Sequence, residues 1–146
     1  MANKKKLIYQ KYIGQFEETI VKGYYFEAAW LEYVLLEDRL VSLLQSSGGE
    51  YKPNGKPILM MGPKIDELNS RMAENQVLKG HLEVDDLINR LQIWKNERNT
   101  LMHSMADGSL SITEIESKIK HLAKTGTKLT RDYASAAKRV KKHRNK

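Results

Sequence analysis

Residues 84–105, which read VDDLINRLQIWKNERNTLMHSM, decide the fold of this chain. Apolar residues recur along this stretch at spacings of three and four, at Val84, Leu87, Leu91, Trp94, Leu101 and Met105. This spacing predicts an α-helix with one apolar side, which packs against partner helices. No stretch of the chain has the alternation of a strand, so the predicted fold class is all-α.

The same helix carries two polar residues that its apolar pattern does not explain. Residue 98 is the next position of the apolar side after Trp94, and it is an arginine. A guanidinium that leaves water must meet an anion, because an unpaired buried charge is costly. His103 follows five residues later, so the two side chains flank a corner of the helix, about 140° apart. Asn99 lies four residues before His103 and can fix the tautomer of its ring.

Other segments have helical patterns of their own. The predicted helices cover about residues 5–22, 24–45, 63–75 and 84–105, and a last one from residue 111. A loop rich in glycine and proline covers residues 46–62, and a connector through Lys79 and Gly80 precedes the Arg98 helix. The prediction is a single domain of residues 1–146, an up-and-down helical bundle of four to five helices.

The second helix is apolar over most of its circumference, which is typical of a central helix in a bundle. Both Phe26 and Trp30 lie on its predicted inward rows. Glu37 interrupts one of these rows. A carboxylate on an inward row of this helix and Arg98 on an inward row of another predict an ion pair between them.

Two features of the last helix predict local structure. Ser111 and Glu114 have the spacing of a capping box, which marks the start of a helix. Gly126 lies on the apolar side of this helix, where glycine costs about 1 kcal/mol of helix propensity. We therefore expect a close packing contact or a kink at Gly126.

The composition excludes several kinds of site. The chain has no cysteine, and therefore no disulfide, no thiolate nucleophile and no cysteine-based zinc site. The four histidines do not have the spacing of a metal-binding pair, so we predict no metal and no cofactor. No apolar run reaches the roughly 18 residues that a membrane span needs. We expect a cytoplasmic protein without membrane contact.

The basic charge is concentrated in the last helix. From Ser111 onward, eleven lysines and arginines accompany three acidic residues, which gives this segment a net charge of +8. The whole chain carries +7, so residues 1–110 carry −1. The segment ends in the tail KRVKKHRNK, about residues 138–146. The basic character of the chain therefore belongs to one helix and its tail.

The segment RNTLMH, residues 98–103, resembles the R-[polar]-xxx-H motif of HEPN domains (higher eukaryotes and prokaryotes nucleotide-binding). The position of the motif agrees too, since it lies late on a long helix, before a turn and another long helix. HEPN domains are helical bundles that commonly dimerise. Many are metal-independent endoribonucleases, often toxins of toxin–antitoxin pairs or phage-defence effectors. The resemblance implies that Arg98 and His103 are catalytic, with Asn99 and Glu37 in support.

The residue types agree with this implied chemistry. RNA cleavage by attack of the 2′-OH needs a base, an acid for the leaving 5′-oxygen, and a cation for the phosphorane charge. A histidine titrates in the range for either proton transfer, and Arg98 offers a fork to the phosphate oxygens. One His103 per chain is too few for both transfers, so the resemblance implies a homodimer. It also implies RNA as a partner, and a cognate antitoxin protein as a further one.

The basic tail would then hold the phosphate backbone of RNA without reading its sequence. The residues predicted to bind RNA are Lys138, Arg139, Lys141, Lys142 and Arg144. The alternative is a non-catalytic helical module that binds RNA or protein. In that case Arg98 pairs with Glu37 as a structural residue, His103 caps the end of its helix, and the tail is a solvated end.

Overall fold

The computed structural model describes the backbone of residues 2–144 and the side chains of residues 4–143. Within this range the regular secondary structure is helical. The helices are α1 (Ala2–Lys22), α2 (Tyr25–Ser46), α3 (Met61–Met72), α4 (Gln76–Glu83), α5 (Leu87–Asp107) and α6 (Ile112–Arg144). The all-α prediction is confirmed, but six helices are found where four to five were expected. The up-and-down arrangement stays a prediction.

The additional helix is α4, which occupies the predicted connector. Asn75 caps it, because its side-chain oxygen accepts a hydrogen bond from the Leu78 N–H at 3.0 Å. Leu78 and Leu82 are buried and lie four residues apart, so even this short helix has an apolar side. The sequence interpretation is wrong here because it weighs Gly80 as a helix break. Gly80 instead lies on the exposed side of α4.

The helix predicted over residues 84–105 begins later than its apolar pattern indicated. α5 begins at Leu87, and Val84 lies outside it with 71% of its surface exposed. Asp86, just before the helix, has a positive φ of 51°, a conformation that aspartate tolerates better than most residues. Leu91 and Trp94 are buried as predicted.

The start of α6 confirms the predicted capping box. Ser111 Oγ accepts a hydrogen bond from the Glu114 N–H at 3.1 Å, and Glu114 Oε1 accepts one from the Ser111 N–H at 3.3 Å. Two backbone N–H groups that have no partner within the helix are thereby satisfied.

The chain divides into two compact units, each assembled from two segments. The first unit contains Met1–Leu35 and Trp94–Lys128, and the second contains Leu36–Ile93 and Leu129–Lys146. The prediction of a single domain over residues 1–146 stays a prediction.

The first unit has a small core made by α1, α2 and α6. Its buried members are Phe16, Ala28, Leu35 and Ala123, against which Tyr9, Tyr12, Ile13, Ile20, Tyr25 and Leu31 pack. Trp94 of α5 is also buried in this unit, and its indole N–H donates a hydrogen bond to the Leu122 carbonyl at 3.0 Å. This hydrogen bond links α5 to α6 within the unit.

The second unit is held together by buried leucines and one organising arginine. Arg71 of α3 donates hydrogen bonds to the carbonyls of Leu44, Gly49 and Tyr51, at 3.0, 2.7 and 3.0 Å. Its Nε also pairs with Glu67 at 3.0 Å. The Arg71 guanidinium therefore ties the first part of the predicted glycine- and proline-rich loop between α2 and α3 to α3. The Tyr133 hydroxyl, also buried here, donates to a backbone carbonyl at 2.8 Å.

The first turns of α2 are more exposed than predicted. Phe26 and Trp30 have 49% and 68% of their surfaces exposed. With Tyr24 they line a groove of about 550 Å³ between α1 and α2, to which Glu18 and Glu27 contribute carboxylates. The prediction that Phe26 and Trp30 face inward is wrong, although later members of the same two rows, Leu36 and Leu44, are fully buried. The exposure is confined to the start of α2.

We expect the two tryptophans to differ sharply in their contribution to stability. Trp94→Phe removes the donor to the Leu122 carbonyl and leaves a small cavity, so it should lower the free energy of unfolding by about 1–3 kcal/mol. Trp30→Phe should change it by less than about 0.5 kcal/mol, because Trp30 is exposed. Urea unfolding of both variants measures the difference. Equal losses in the two variants would contradict the assignment of Trp94 to the core.

Candidate functional site

The three residues of the predicted motif lie in the second half of α5. Arg98 is half-buried, whereas Asn99 and His103 are exposed. His103 stands four residues before Asp107, the last residue of the helix. Its side chain is therefore accessible to solvent near a helix C-terminus, where a cationic imidazole is favoured.

Arg98 has an aromatic partner and no acidic one. Its Cζ atom lies 4.3 Å from the centroid of the Tyr33 ring of α2, a cation–π contact within the first unit. Among the described residues, no carboxylate comes within ion-pairing distance of the Arg98 guanidinium. The ring contact uses the face of the guanidinium and leaves its N–H donors available to an anion.

The predicted ion pair between Glu37 and Arg98 is wrong. Glu37 Oε1 instead accepts a hydrogen bond from Lys64 Nζ of α3 at 2.8 Å, within the second unit. The Lys64 side chain is only 8% exposed, so this pair is partly shielded from water. The sequence did not predict the pair of Lys64 and Glu37. Lys64 is next to apolar residues of α3, and exposed lysines occur at such positions as well.

Substitutions of Arg98 and Lys64 should therefore differ in their effect on the free energy of unfolding. Arg98→Ala leaves no buried carboxylate behind, so we expect it to lower the free energy of unfolding by at most about 1 kcal/mol. Lys64→Met leaves the Glu37 carboxylate without its partner and should cost about 1–3 kcal/mol. Adding Glu37→Gln to Lys64→Met should recover most of this loss. Urea unfolding tests the ranking, and a larger loss in Arg98→Ala would reveal an acidic partner of Arg98.

The environment of His103 is set by the end of its helix. The Asp107 carboxylate accepts a hydrogen bond from the Ser109 N–H at 2.9 Å. Hydrogen bonds from Ser109 lower the pKa of Asp107, and the nearby charge of His103 lowers it further. Asn99 makes no hydrogen bond to His103 in the described part of the chain. The predicted fixing of the tautomer by Asn99 is therefore absent among the described residues.

The predicted RNA-binding residues lie on the last turns of α6. Lys138, Lys141 and Lys142 are exposed, as a role in phosphate binding requires. Arg139 is half-buried, and its Nε donates a hydrogen bond to His81 Nδ1 at 3.3 Å. The side chain of Arg144 and the end of the tail lie outside the described residues. The segment from residue 138 to 144 is a continuation of α6.

Sequence reasoning missed one buried acid, Glu32 of α2. It is fully buried in the first unit, where Thr127 Oγ1 donates a hydrogen bond to its Oε2 at 3.2 Å and its Oε1 has no hydrogen-bond partner. Burial raises the pKa of Glu32 to about 9, although the Thr127 hydrogen bond opposes the shift. A Cβ at Gly126 would overlap the Glu32 carboxyl group. The predicted close packing at Gly126 is confirmed, and Glu32 is what packs there.

The raised pKa of Glu32 implies that stability falls with rising pH. The folded state keeps the proton up to about pH 9, whereas the unfolded chain releases it near 4.5. The unfolded state therefore binds fewer protons between these values, and the free energy of unfolding decreases as pH rises through this window. Above about pH 9 this contribution is constant.

We expect Glu32→Gln to remove most of this pH dependence. The amide keeps the shape of the protonated carboxyl group, and its oxygen can still accept the hydrogen bond from the Thr127 hydroxyl. The variant should be more stable than the natural chain at pH 8, by on the order of 3 kcal/mol, and the gain should shrink towards pH 5. Urea unfolding at both pH values measures it. Glu17→Gln, at an exposed position of α1, is the matched control, and an equal gain in both variants would contradict the burial of Glu32.

Comparison of the chain with protein-family models, curated proteins and solved structures finds no match. Among the described residues, no group of three or more histidine, aspartate or glutamate side chains has the geometry to hold a metal ion. The helices of the same range include none with the length and hydropathy needed to cross a membrane.

Proposed function

We propose that this protein is a metal-independent endoribonuclease of the HEPN type, which acts in the cytoplasm as a toxin of a toxin–antitoxin pair or as a phage-defence effector. One observation supports this proposal above the others. Arg98 is half-buried without any carboxylate among the described residues, and the exposed His103 follows it on the same helix. A structural arginine of this burial is usually paired with an acid, whereas an arginine that binds phosphate keeps its donors free.

In the proposed reaction the phosphate oxygens bind to the Arg98 guanidinium. The 2′-oxygen attacks the adjacent phosphorus, and its proton passes to the neutral imidazole of one His103. The bond from phosphorus to the 5′-oxygen breaks, and this oxygen takes a proton from the imidazolium of a second His103. The products are a 2′,3′-cyclic phosphate and a 5′-hydroxyl group. General acid–base catalysis of this kind contributes typically about 10²–10⁴-fold.

The two proton transfers require two histidines, so the proposal includes a homodimer in which each copy supplies His103. The exposed lysines at 138, 141 and 142 would attract the RNA backbone through charge alone. RNA bound in this way would have no sequence preference from the tail. An antitoxin protein would act by covering this site or by preventing dimer formation.

The proposal is tested by RNA cleavage in EDTA. His103→Ala should lower the cleavage rate by at least about 100-fold, because it removes the proton-transfer group. Arg98→Lys keeps the charge but loses the fork, and should lower the rate by at least about tenfold. His121→Ala changes an exposed histidine of the same unit and should leave the rate unchanged. Full activity of purified His103→Ala would end the catalytic proposal.

Light scattering on the same preparations tests the paired-histidine mechanism. The active protein should be a dimer at the concentration at which it cleaves RNA. A monomer with full activity would contradict the use of two His103 side chains, while leaving Arg98 as a phosphate-binding residue.

The second candidate function is a non-catalytic helical module that binds RNA or protein. The observation that favours it is the groove between α1 and α2, which exposes Tyr24, Phe26 and Trp30. Exposed aromatic residues in a concave surface are typical of binding sites. RNA binding that is unchanged in His103→Ala, with no cleavage by the natural chain, would favour this candidate.

A further inference from the structure

A second cationic cluster lies in the second unit, where α4 packs beside the last turns of α6. It consists of His81 of α4 with Arg139 and His143 of α6, and is named here the His81 cluster. Arg139 Nε donates to His81 Nδ1 at 3.3 Å. The centroids of the two imidazole rings are 6.1 Å apart, and the ring planes meet at 70°. Arg139 and His143 are four residues apart, so they project from the same face of α6.

The His81 cluster differs from the other shielded cations of this unit because it has no carboxylate partner among the described residues. The buried or half-buried cations elsewhere in the described part of the unit are paired with carboxylates. These pairs are Arg39–Asp38, Lys64–Glu37, Arg71–Glu67, Lys79–Glu83 and Arg90–Asp132. Arg139 instead donates to an imidazole nitrogen, and this uses one of its five N–H bonds. Its two Nη groups have no acceptor among the described residues.

The charges that shift the pKa of His81 are positive. Burial lowers the pKa of His81, and the charges of Arg139 and His143 lower it further. On the same helix, Lys79 and Glu83 lie 4.0 Å from each other and form an ion pair. An anion placed between His81, Arg139 and His143 would be attracted by the positive charges.

We propose that the His81 cluster binds a phosphate-class dianion, such as free phosphate or a phosphate monoester. The Nη groups of Arg139 would bind two oxygens as a fork. His81 accepts from Arg139 at Nδ1 and is therefore neutral, so its Nε2–H would donate to a further oxygen, and the imidazolium of His143 would donate as well. With His143 protonated the cluster carries two positive charges, which match a dianion better than the single negative charge of an internal phosphodiester. The site goes beyond the proposed cleavage and does not depend on it.

Sulfate is the probe for the first test, because it stays dianionic between pH 5.5 and 8. Its binding is measured by NMR of the histidine ring signals, at constant ionic strength set with chloride. The sulfate affinity should rise by at least roughly tenfold from pH 8 to pH 5.5, because the imidazolium of His143 donates to the anion and binding therefore takes up a proton. The pKa of His143 should increase at saturating sulfate. An affinity independent of pH would overturn the proposal.

Substitutions separate the cluster from general basic charge. Arg139→Gln and His143→Gln should each lower the sulfate affinity by at least about tenfold, because each removes a donor from the anion. Arg131→Gln is the matched control, since it removes the same charge from an exposed position of α6. His143 is exposed as well, so His143→Gln tests the proposal even where Arg139→Gln perturbs the fold. Equal sulfate binding by the natural chain and His143→Gln would overturn it.

The dianion could be a terminal phosphate of a nucleic acid or free phosphate, and a DNA oligonucleotide distinguishes the two. DNA lacks the 2′-OH and cannot be cleaved by the proposed reaction. Tighter binding of the 5′-phosphorylated form than of the 5′-hydroxyl form, lost in His143→Gln, would identify a terminal phosphate as the ligand. Equal binding of both forms, with inorganic phosphate binding lost in His143→Gln, would identify the free anion. Binding at the His81 cluster is measured on the ring signals of His81 and His143, which lie outside the proposed cleavage site, so failure of the cleavage proposal leaves this test unaffected.

Discussion

The first unit depends on the absence of a side chain at residue 126. The Glu32 carboxyl group occupies the space that a Cβ at Gly126 would need, so α2 and α6 can approach closely at this point of the unit. The close approach removes Glu32 from water, and burial raises its pKa to about 9. A neutral carboxyl group in this position tolerates burial, because a single hydrogen bond from Thr127 satisfies one of its oxygens. One glycine thereby fixes both a packing distance and a protonation state.

Partly shielded cations in this protein fall into two groups with different consequences. Most of those in the second unit have a carboxylate partner, which offsets the cost of leaving water. Arg98 and Arg139 have instead an aromatic ring and an imidazole nitrogen as partners. Neither partner neutralises the charge, so both guanidinium groups keep their attraction for anions. This shared property connects the proposed RNA-cleaving site and the proposed dianion site, although each is argued from its own contacts.

The sequence predicted the helices more accurately than the contacts between them. The predicted starts and ends of α1 and α2 differ from the observed ones by three residues or fewer. The errors occur where the local pattern is ambiguous. Gly80 indicated a break inside α4, and Trp30 is exposed although Leu44, on the same apolar row of α2, is fully buried. Arg98 and His103 were singled out by their helical positions and by the resemblance to the HEPN motif, but their partners were not predicted.

What the sequence determined by itself is the structure made by residues close along the chain. The capping box of Ser111 and Glu114 and the helical spacing around Trp94 involve neighbours within one or two turns, so the local pattern defines them. Only the tertiary structure decided the partners of the buried and half-buried polar groups. Lys64 and Glu37 are 27 residues apart, Arg139 and His81 are 58 apart, and Thr127 and Glu32 are 95 apart. Helical periodicity gives the side of a helix on which a residue lies. It does not give the residue that will face it, because that depends on how distant helices pack.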